Sequence, residues 1–528
     1  MVREPAVTHI DESVRRRALL AMCVCIGLIA GCVREYSLNA PSAVTIEAID
    51  WPDTVTETDT ATLRVRIRDA SGETVSGTNV VWTISDASIL DVARVVPSDS
   101  TLQARLSAQL RAAMTAKHTG SVVVTVTTPD SGAVGHAELR RSIVVAQHWV
   151  SISAGYFHSC GTTVRREAYC WGGGLRFLGN GSASGSILPS RVIDQQIPFD
   201  TVSAGWEQSC GATHNAGDST YIQLRCWGYN PYGAVGNGDS KDEFIPVFVS
   251  RGPSFKAFQA AFGFTCALSE INSAACWGDN SAGQLGNVGP FETCAGTPCE
   301  RSPTSVVVRA DKVPLAVRSL SGAESHSCAV TLDSAVYCWG SNARGNLGNG
   351  GTDSSPFAVQ VSSAVSFAAV SAGPYHTCAL STDGHAYCWG TNLFGELGGA
   401  KTTDVCDGLP CSRVPTVVPG NVVFRSISVR GRSSCAVSTD ALVYCWGLDD
   451  HGQVGTATTT TCAGSPCVTS PVAVSGLAKI RAVSVGDRHA CAVALTGVAY
   501  CWGQNSDGRL GNGTRTDPIR PTRVSDPR

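Results

Sequence analysis

The sequence predicts an all-β fold, and three observations support that prediction. Charged residues make up only 16% of the 528 residues while glycine accounts for 55, a composition too apolar for disorder and too rich in glycine for long helices. The tripeptide Cys-Trp-Gly recurs seven times at intervals of 50 to 62 residues, which indicates an internal repeat. Short runs such as Leu63–Arg68 alternate apolar and charged residues, the period of a half-buried strand.

The charge balance and the cysteine content limit the possible partners and the compartment. Forty basic and 43 acidic side chains leave a net charge of −3, which provides no surface on the scale that a nucleic-acid partner needs. We therefore expect no nucleic-acid binding. The 23 cysteines are far more than a reducing cytoplasm usually tolerates, so they indicate an oxidising compartment.

The first 31 residues have the pattern of a signal peptide. Three arginines, Arg15 to Arg17, precede an apolar run of 13 residues, Ala18–Ala30, shorter than the ~20 residues of a membrane span. The run ends in Leu28-Ile29-Ala30-Gly31-Cys32, which resembles the lipobox of bacterial lipoproteins. That resemblance implies cleavage before Cys32 and lipidation of this cysteine; the alternative is an ordinary signal peptide with Cys32 there by chance.

This interpretation predicts the location of the mature protein. We expect it in the bacterial cell envelope, extracytoplasmic, and bound to the membrane through its lipid anchor only. If the envelope has two membranes, the outer one is expected. Residues 32–41 would form a tether to the first folded domain.

Residues 42–147 lack cysteine and predict a separate β domain. Strand patterns occur at Leu63–Arg68, Val80–Ile84 and Ser121–Thr127. The stretch Arg68–Ser85 resembles the bacterial immunoglobulin-like domain, which implies a β-sandwich with Trp82 packed in its core. Members of that family usually act as spacers or adhesion modules.

Twenty cysteines remain after Cys23 and Cys25 leave with the signal and Cys32 is lipidated. In the fifth repeat a three-residue turn between two strand-like runs would place Cys378 directly opposite Cys388, within reach of a disulfide at ~4.5 Å. In the second repeat the two cysteines are 16 rather than 10 positions apart. Six extra residues lengthen each strand of the hairpin by three, so the two cysteines would still lie opposite each other. We therefore predict one hairpin disulfide per repeat: Cys160 with Cys170, Cys210 with Cys226, Cys266 with Cys276, Cys328 with Cys338, Cys378 with Cys388, Cys435 with Cys445, and Cys491 with Cys501.

Three motifs recur in the repeat: SAG-x-x-H-[ST]-C-A at Ser371–Ala379, YCWG at Tyr387–Gly390, and WG-x-N-x-x-G-x-LG at Trp339–Gly348. With them the unit resembles the repeat of the regulator of chromosome condensation family. The matches run from Trp149 to the C-terminus. The resemblance implies a seven-bladed β-propeller over residues 148–528, following the N-terminal immunoglobulin-like sandwich. The sixth repeat departs from the motif, since Asp449 replaces the usual asparagine.

The remaining six cysteines form three short pairs in repeats 3, 5 and 6: Cys294 with Cys299, Cys406 with Cys411, and Cys462 with Cys467. We call these loops the disulfide knuckles, and their equivalent positions predict that they stand on one rim. Zinc is the alternative, because the spacing is near that of metal ligands. The oxidising compartment favours disulfides, so we expect no metal and no cofactor.

Four histidines precede the first cysteine of their repeats by two residues: His158, His326, His376 and His489. A metal ring is one interpretation, but Gln208, Phe264 and Ser433 occupy this position in the other repeats, which favours a structural imidazole bonded to the backbone. The seven Cys-Trp-Gly tryptophans could be stacking platforms. Their presence in every repeat favours packing between blades.

No catalytic motif stands outside the repeat, so we expect no enzyme activity. The leading hypothesis is an envelope-anchored lipoprotein whose propeller binds a protein or a polysaccharide of the envelope. The alternatives are guanine-nucleotide exchange, implied by the family resemblance, and a glycan-active enzyme on the propeller scaffold. As candidate binding residues we take Phe291, Glu292 and Arg301 around the first knuckle, an aromatic beside opposite charges. A solvated loop stapled against proteolysis is the alternative for this segment.

Overall fold

A computed structural model describes residues 45–49, 51–52, 54–56, 60–68, 71, 74, 80–94, 111–117, 119–128, 137–174, 176–193, 198–215, 218–250, 254–287, 289, 291–308, 313–400 and 402–526. The predicted signal peptide, Cys32 and the tether lie outside these residues. Regular structure in the described part consists of β-strands. Within these residues, no helical segment has the length and hydropathy that a membrane span requires.

The N-terminal part contains eight strands: β1 (Thr45–Ile49), β2 (Thr54–Thr56), β3 (Thr60–Arg68), β4 (Val81–Ile84), β5 (Leu90–Arg94), β6 (Arg111–Ala116), β7 (Gly120–Thr127) and β8 (Glu138–Ala146). They form two four-stranded sheets, in the orders β1-β3-β6-β5 and β2-β8-β7-β4. Leu63 and Val65 of one sheet share a core with Val124 and Ile143 of the other. The alternation predicted for Leu63–Arg68 is present in β3, where Leu63, Val65 and Ile67 are buried and the residues between them are not.

From Trp149 onward each repeat forms one unit of four antiparallel strands, which we name A to D in chain order. The strands are, in unit 1, β9 (Trp149–Ala154), β10 (His158–Thr163), β11 (Ala168–Gly172) and β12 (Ser186–Arg191); in unit 2, β13 (Thr201–Ala204), β14 (Gln208–Asn215), β15 (Asp218–Gly228) and β16 (Glu243–Phe248); in unit 3, β17 (Phe255–Ala260), β18 (Phe264–Ser269), β19 (Ala274–Asp279) and β21 (Thr297–Ser305); in unit 4, β24 (Val317–Gly322), β25 (His326–Thr331), β26 (Val336–Gly340) and β27 (Ser355–Gln360); in unit 5, β28 (Phe367–Ala372), β29 (His376–Ser381), β30 (Ala386–Thr391) and β32 (Leu409–Val417); in unit 6, β33 (Phe424–Arg430), β34 (Ser433–Ser438), β35 (Val443–Leu448) and β37 (Ser465–Ala473); and in unit 7, β38 (Ile480–Val485), β39 (His489–Ala494), β40 (Ala499–Gly503) and β41 (Thr522–Arg523). Short additional strands are β20 (Glu292–Cys294), β22 (Val307–Val308), β23 (Val313–Pro314), β31 (Asp404–Cys406) and β36 (Thr461–Cys462).

The A strands line up around a closed ring, because each A strand contacts that of the next unit and β38 contacts β9. At every junction a backbone N–H of one unit donates to a side chain of the preceding unit's A strand. The Ala204 N–H of unit 2 donates to the Ser153 hydroxyl of unit 1 at 2.9 Å. The Ala154 N–H of unit 1 donates to the Ser484 hydroxyl of unit 7 at the same distance. The other acceptors are Ser203, Gln259, Ser321, Ser371 and Ser428. These side chains satisfy backbone donors on strands that share no ladder.

All ten predicted cysteine pairs are disulfide-bonded in the structure. Cys378 lies opposite Cys388 in the B–C ladder, with the Cα atoms 4.1 Å apart. The longer hairpin of unit 2 keeps Cys210 opposite Cys226, so the predicted register is confirmed for both hairpin lengths. The other hairpin bonds join Cys160 to Cys170, Cys266 to Cys276, Cys328 to Cys338, Cys435 to Cys445, and Cys491 to Cys501. The knuckle bonds join Cys294 to Cys299, Cys406 to Cys411, and Cys462 to Cys467.

The two ends of the ring carry different loops. Since the strands of a unit are antiparallel, the A–B turns and C–D loops lie at one end and the B–C turns at the other. The N-terminal sandwich contacts the B–C end, where the Thr56 hydroxyl donates to the Thr496 carbonyl at 2.7 Å and Arg165 donates to the Lys117 carbonyl at 3.0 Å.

Candidate functional site

The four repeat histidines are fully buried between units. Nε2 of His158 lies 2.7 Å from the Ser209 hydroxyl of unit 2, and His326, His376 and His489 repeat this contact with Thr377, Ser434 and Ser159. The Ser209 hydroxyl donates its own hydrogen to the Phe177 carbonyl, so it accepts from His158 Nε2. These imidazoles are structural, as predicted, but the predicted backbone partner was wrong. A hydroxyl of the next unit is the partner because the imidazole extends across the junction.

Burial of these imidazoles disfavours their charged form. The pKa of His158, His326 and His376 is lowered to about 3 by desolvation, and that of His489 is also far below 6.5. At neutral pH each histidine is therefore uncharged. These four histidines bridge neighbouring units and are not open to a ligand.

The seven repeat tryptophans also belong to the packing between units. Each indole Nε1 donates to a backbone carbonyl of the preceding unit, as Trp389 does to Asn346 at 2.8 Å. The other six are Trp171, Trp227, Trp277, Trp339, Trp446 and Trp502. Their rings are at most 1% exposed, so they provide no stacking platform.

A chain of six aromatic rings lies at the A–B end, across units 1 to 3: Phe157, Tyr156, Phe262, Trp206, Tyr229 and Tyr232. We call it the aromatic chain. Its centre is a stacked pair, Trp206 and Phe262, with ring centroids 4.0 Å apart, and neighbouring rings elsewhere meet edge to face at 4.8 to 6.5 Å. All six side chains are only partly buried. Each comes from an A–B turn or a C–D loop, positions where the repeat does not fix the residue.

A single arginine breaks the symmetry at the centre of this end. The third residue of the SAG-type motif is Gly or Ala in six units, but in unit 6 it is Arg430. Its guanidinium crosses the ring axis and donates to the carbonyls of Ala204 at 2.9 Å and Ala260 at 3.2 Å, in units 2 and 3. Burial lowers the pKa of Arg430 to about 10, which leaves it charged at pH 7. Arg430 thus closes the axis and forms one wall of a shallow depression lined also by Tyr156, Trp206 and Phe262.

The other half of the A–B end is charged. The Arg432 guanidinium stacks 3.8 Å over the Tyr375 ring and donates to the buried Glu396 carboxylate at 2.9 Å. Burial raises the pKa of Glu396, while Arg432 acts in the opposite direction. Arg344 approaches the same Tyr375 ring at 5.0 Å. Aromatic rings and arginines therefore occupy one continuous end of the ring of units.

The predicted binding residues lie on the hairpin of the first knuckle, in the C–D loop of unit 3, where Arg301 packs against Gly233, the residue after Tyr232 of the aromatic chain. Phe291 is partly exposed and precedes β20, while Glu292 and Arg301 form an ion pair with each other. The Arg301 carbonyl also accepts from the Gly238 N–H of unit 2 at 3.1 Å. Each charge is therefore partnered within the hairpin. Binding at these three residues remains a prediction.

The knuckle also brings a carboxylate near sulfur atoms. Glu292, Cys294 and Cys299 place ligand-type atoms within 4.8 Å of one another. Cysteine binds zinc as a thiolate, and both sulfurs are already joined in a disulfide. This arrangement cannot hold zinc while the disulfide is intact.

Sequence reasoning missed the aromatic chain and Arg430. The signal was present in the two positions between the glycine and the histidine of SAG-x-x-H, which contain Tyr156-Phe157 in unit 1 and Trp206-Glu207 in unit 2. Only the three-dimensional order of the units shows that these positions adjoin. The substitution that gives Arg430 was visible as an exception to a Gly or Ala position.

These features define a repeat protein of all-β architecture with partly exposed aromatic rings at one end. Residues 209–528, more than half of the chain, match the model of the RCC1-like domain, and residues 149–176 match the regulator of chromosome condensation (RCC1) repeat. The chain belongs to the RCC1-like domain family. The predicted family resemblance is thereby confirmed, and with it a β-propeller of the RCC1 type.

Relatives and solved structures agree with this assignment. The chain is 28% identical over 375 residues to the ultraviolet-B receptor UVR8 of Arabidopsis thaliana, covering 69% of this chain and 79% of that protein. Prp20p of Saccharomyces cerevisiae is 22% identical with a TM-score of 0.57, covering 72% of this chain and 88% of the other. Human WBSCR16 is 18% identical with a TM-score of 0.58, over 68% and 94%. The two structures support the fold alone.

Proposed function

We propose that this protein is an envelope-anchored lipoprotein with a seven-bladed propeller that binds a protein partner through the aromatic chain. Lipidation at Cys32 would anchor it, and the N-terminal sandwich, of immunoglobulin-like type, would serve as a spacer. Proteins of the RCC1-like family generally act as binding or regulatory modules. No catalytic role is proposed.

The observation that carries this proposal is the cluster of six contacting, partly exposed aromatic rings on one side of the A–B end. A repeat protein places structural residues in every unit, whereas the aromatic chain is confined to units 1 to 3. Partly exposed aromatic rings give up favourable burial unless another surface covers them. Aromatic residues and arginine are the types enriched where proteins bind each other.

The packing of the rings favours a protein over a polysaccharide. A sugar ring stacks on an open aromatic face, but Trp206 has one face covered by Phe262 at 4.0 Å. The rings instead present edges and a depression floored by Ala261 and Ala323 beside the Glu324 carboxylate. The depression is about the size of one water molecule, so apolar side chains of a partner would pack against the ring edges around it, with polar contacts at the margin. Binding of an envelope polysaccharide is the other outcome of the test below.

The orientation of the domains is compatible with this role. The N-terminal sandwich contacts the B–C end, at Thr496 and Arg165. A chain anchored through its N-terminus would then present the opposite, A–B end to partners.

Photo-crosslinking in producing cells tests the proposal. A photoreactive phenylalanine analogue is placed at Phe262, in the aromatic chain, or at Leu332, in the B–C turn of unit 4, where 54% of the side chain is exposed. We expect a discrete crosslinked protein from position 262 and none of the same mass from position 332. A polydisperse, glycan-containing product from position 262 would indicate a polysaccharide instead. The same product from both positions, or none from either, would contradict the proposed binding face.

A further inference from the structure

A second cavity opens between the C–D loops of units 6 and 7, away from the aromatic chain. It has a volume of about 350 Å³, the size of a site for a side chain or a small organic molecule. Its polar lining includes Asp449, Asp450, His451, Thr458 and Asp517. No lysine or arginine is among the residues that line it.

Two of the three carboxylates are already partnered. Asp450 receives Arg488 at 3.1 Å and the Gln453 amide at 2.9 Å. Asp517 accepts the Asn505 N–H at 2.7 Å through Oδ1, and its Oδ2 lies 2.9 Å from His451 Nδ1. This acidic cluster alone would therefore indicate no ligand.

Asp449 differs from both. The residue is 6% exposed, and its Oδ1 accepts the Val454 N–H at 2.9 Å. Its Oδ2 has no hydrogen-bond partner among the described residues, and it belongs to a side chain that lines the cavity. Oδ2 is not enclosed by protein, so a cation that enters the cavity can reach it, and the low exposure of the carboxylate would strengthen that contact.

The other units show what normally fills this position. Five of them have asparagine here: Asn230, Asn280, Asn342, Asn392 and Asn505. Asn342 Oδ1 accepts the Leu347 N–H as Asp449 does with Val454, and its Nδ2 donates to the Gly351 and Asp353 carbonyls of its own C–D loop. In unit 6 the carboxylate oxygen of Asp449 replaces the amide Nδ2, so an acceptor stands where asparagine has a donor. The C–D loop there continues instead into the knuckle closed by Cys462 and Cys467, and Thr458 donates to the Cys467 carbonyl at 3.1 Å.

We propose that this cavity binds a primary ammonium group, such as a lysine side chain of a partner, against Asp449 Oδ2. An ammonium supplies N–H donors, as the asparagine amide does to loop carbonyls in units 2, 4 and 7, and adds charge complementarity. The Thr458 oxygen and the neighbouring carboxylates lie on the same lining. A chelated metal ion fits less well, because among the described residues the oxygens of Asp449, Asp450 and Asp517 do not converge within 4.8 Å. This site is independent of the aromatic chain.

Titration of the full-length protein with Nα-acetyl-lysine methylamide at pH 7.5, followed by NMR or calorimetry, tests this assignment. We expect millimolar binding, at least ~10-fold weaker in Asp449→Asn, and none for the norleucine analogue, which lacks the ammonium. Asp449→Asn should fold normally because five units already have asparagine there, and a thermal melt checks this. Burial raises the pKa of Asp449 to about 6, so binding should also weaken at pH 5, where the carboxyl is protonated.

Three results would overturn the assignment. The first is equal affinity of the native protein and Asp449→Asn for the lysine probe, and the second is equal affinity of the native protein for the norleucine analogue. The third is no detectable binding at probe concentrations up to about 20-fold above the expected millimolar dissociation constant. Displacement of the lysine probe by Ca²⁺ at matched ionic strength would assign the cavity to a metal ion instead. Because Asp449 lies outside the aromatic chain, loss of probe binding in Asp449→Asn is separable from failure of the proposed binding face.

Discussion

The indole Nε1 of Trp171 in unit 1 donates to the carbonyl of Arg509 in unit 7, at 3.0 Å and across 338 residues of sequence. The Ser159 hydroxyl donates to the same carbonyl at 2.9 Å. Unit 7 takes its D strand, β41, from its own repeat, so strand exchange does not join the described ends of the ring. Closure therefore depends on side-chain contacts of the kind found at every other junction, together with backbone bonds such as that from the Trp149 N–H to the Gly497 carbonyl at 2.8 Å.

Trp171→Phe should weaken this closure. The substitution removes the indole donor and some buried volume, and we expect a loss of ~1–3 kcal/mol in the free energy of unfolding. Trp149→Phe in the same unit is the matched control, because Trp149 is equally buried but its indole N–H has no hydrogen bond among the described residues. Chemical denaturation should show a loss at least ~1 kcal/mol larger for Trp171→Phe. Equal losses would mean that the bond contributes nothing to closure.

His376→Gln should reduce the acid sensitivity of the fold. The pKa of His376 falls from 6.5 to about 3 on burial, so its contribution to stability is complete above pH 6.5 and is lost as the pH falls from 6.5 towards 3. At pH 5 the penalty is about 2 kcal/mol for one such histidine. Glutamine already occupies this position in unit 2, as Gln208, and does not titrate.

The measurement is the free energy of unfolding at pH 7.5 and at pH 5. Between these values His376→Gln should lose about 2 kcal/mol less than the native protein. The variant should be slightly less stable at pH 7.5, because the contact with Ser434 is lost. An unchanged pH dependence would show that protonation of His376 is not linked to unfolding.

Much of this architecture could be predicted from the sequence because the same strand, turn and cysteine pattern occurs in seven copies. Cys378 and Cys388 are symmetric about their turn, so the register and the disulfide followed from chain numbering alone. The aromatic chain could not be predicted in that way. Tyr156 and Phe262 are 106 positions apart and meet only because unit 1 and unit 3 lie around the same axis. Arg430 reaches carbonyls of units 1 to 3 from unit 6, a contact that no local pattern encodes.

The mature protein should contain ten disulfides and no free thiol. All twenty cysteines after Cys32 are paired, and those of the seven hairpins are at most 1% exposed. Alkylation of the folded protein without reductant, followed by mass spectrometry, should leave these cysteines unlabelled. Full labelling after reduction and unfolding is the control. Label at a hairpin cysteine of the folded protein would refute the pairing in solution.

Cys32→Ser should release the protein from the membrane fraction. The prediction follows from the resemblance of Leu28–Cys32 to a lipobox, because the substitution removes the sulfur that would carry the lipid. Fractionation and immunoblotting of the native and variant proteins would measure it, with Cys25→Ser, inside the predicted signal peptide, as the matched control. Persistence of full-length Cys32→Ser protein in the membrane fraction would exclude this anchor.

The affinity for a partner identified by crosslinking tests the central claim most directly. Trp206→Ala combined with Phe262→Ala removes the stacked centre of the aromatic chain, and we expect affinity at least ~30-fold weaker, the effect of losing about 2 kcal/mol at a hot spot. Leu332→Ser combined with Leu442→Ser removes exposed aliphatic side chains from B–C turns at the other end and should change affinity less than about twofold. Thermal melts establish that both variants are folded. A large loss in the B–C variant with native affinity in the aromatic variant would place the binding surface at the opposite end and contradict this account.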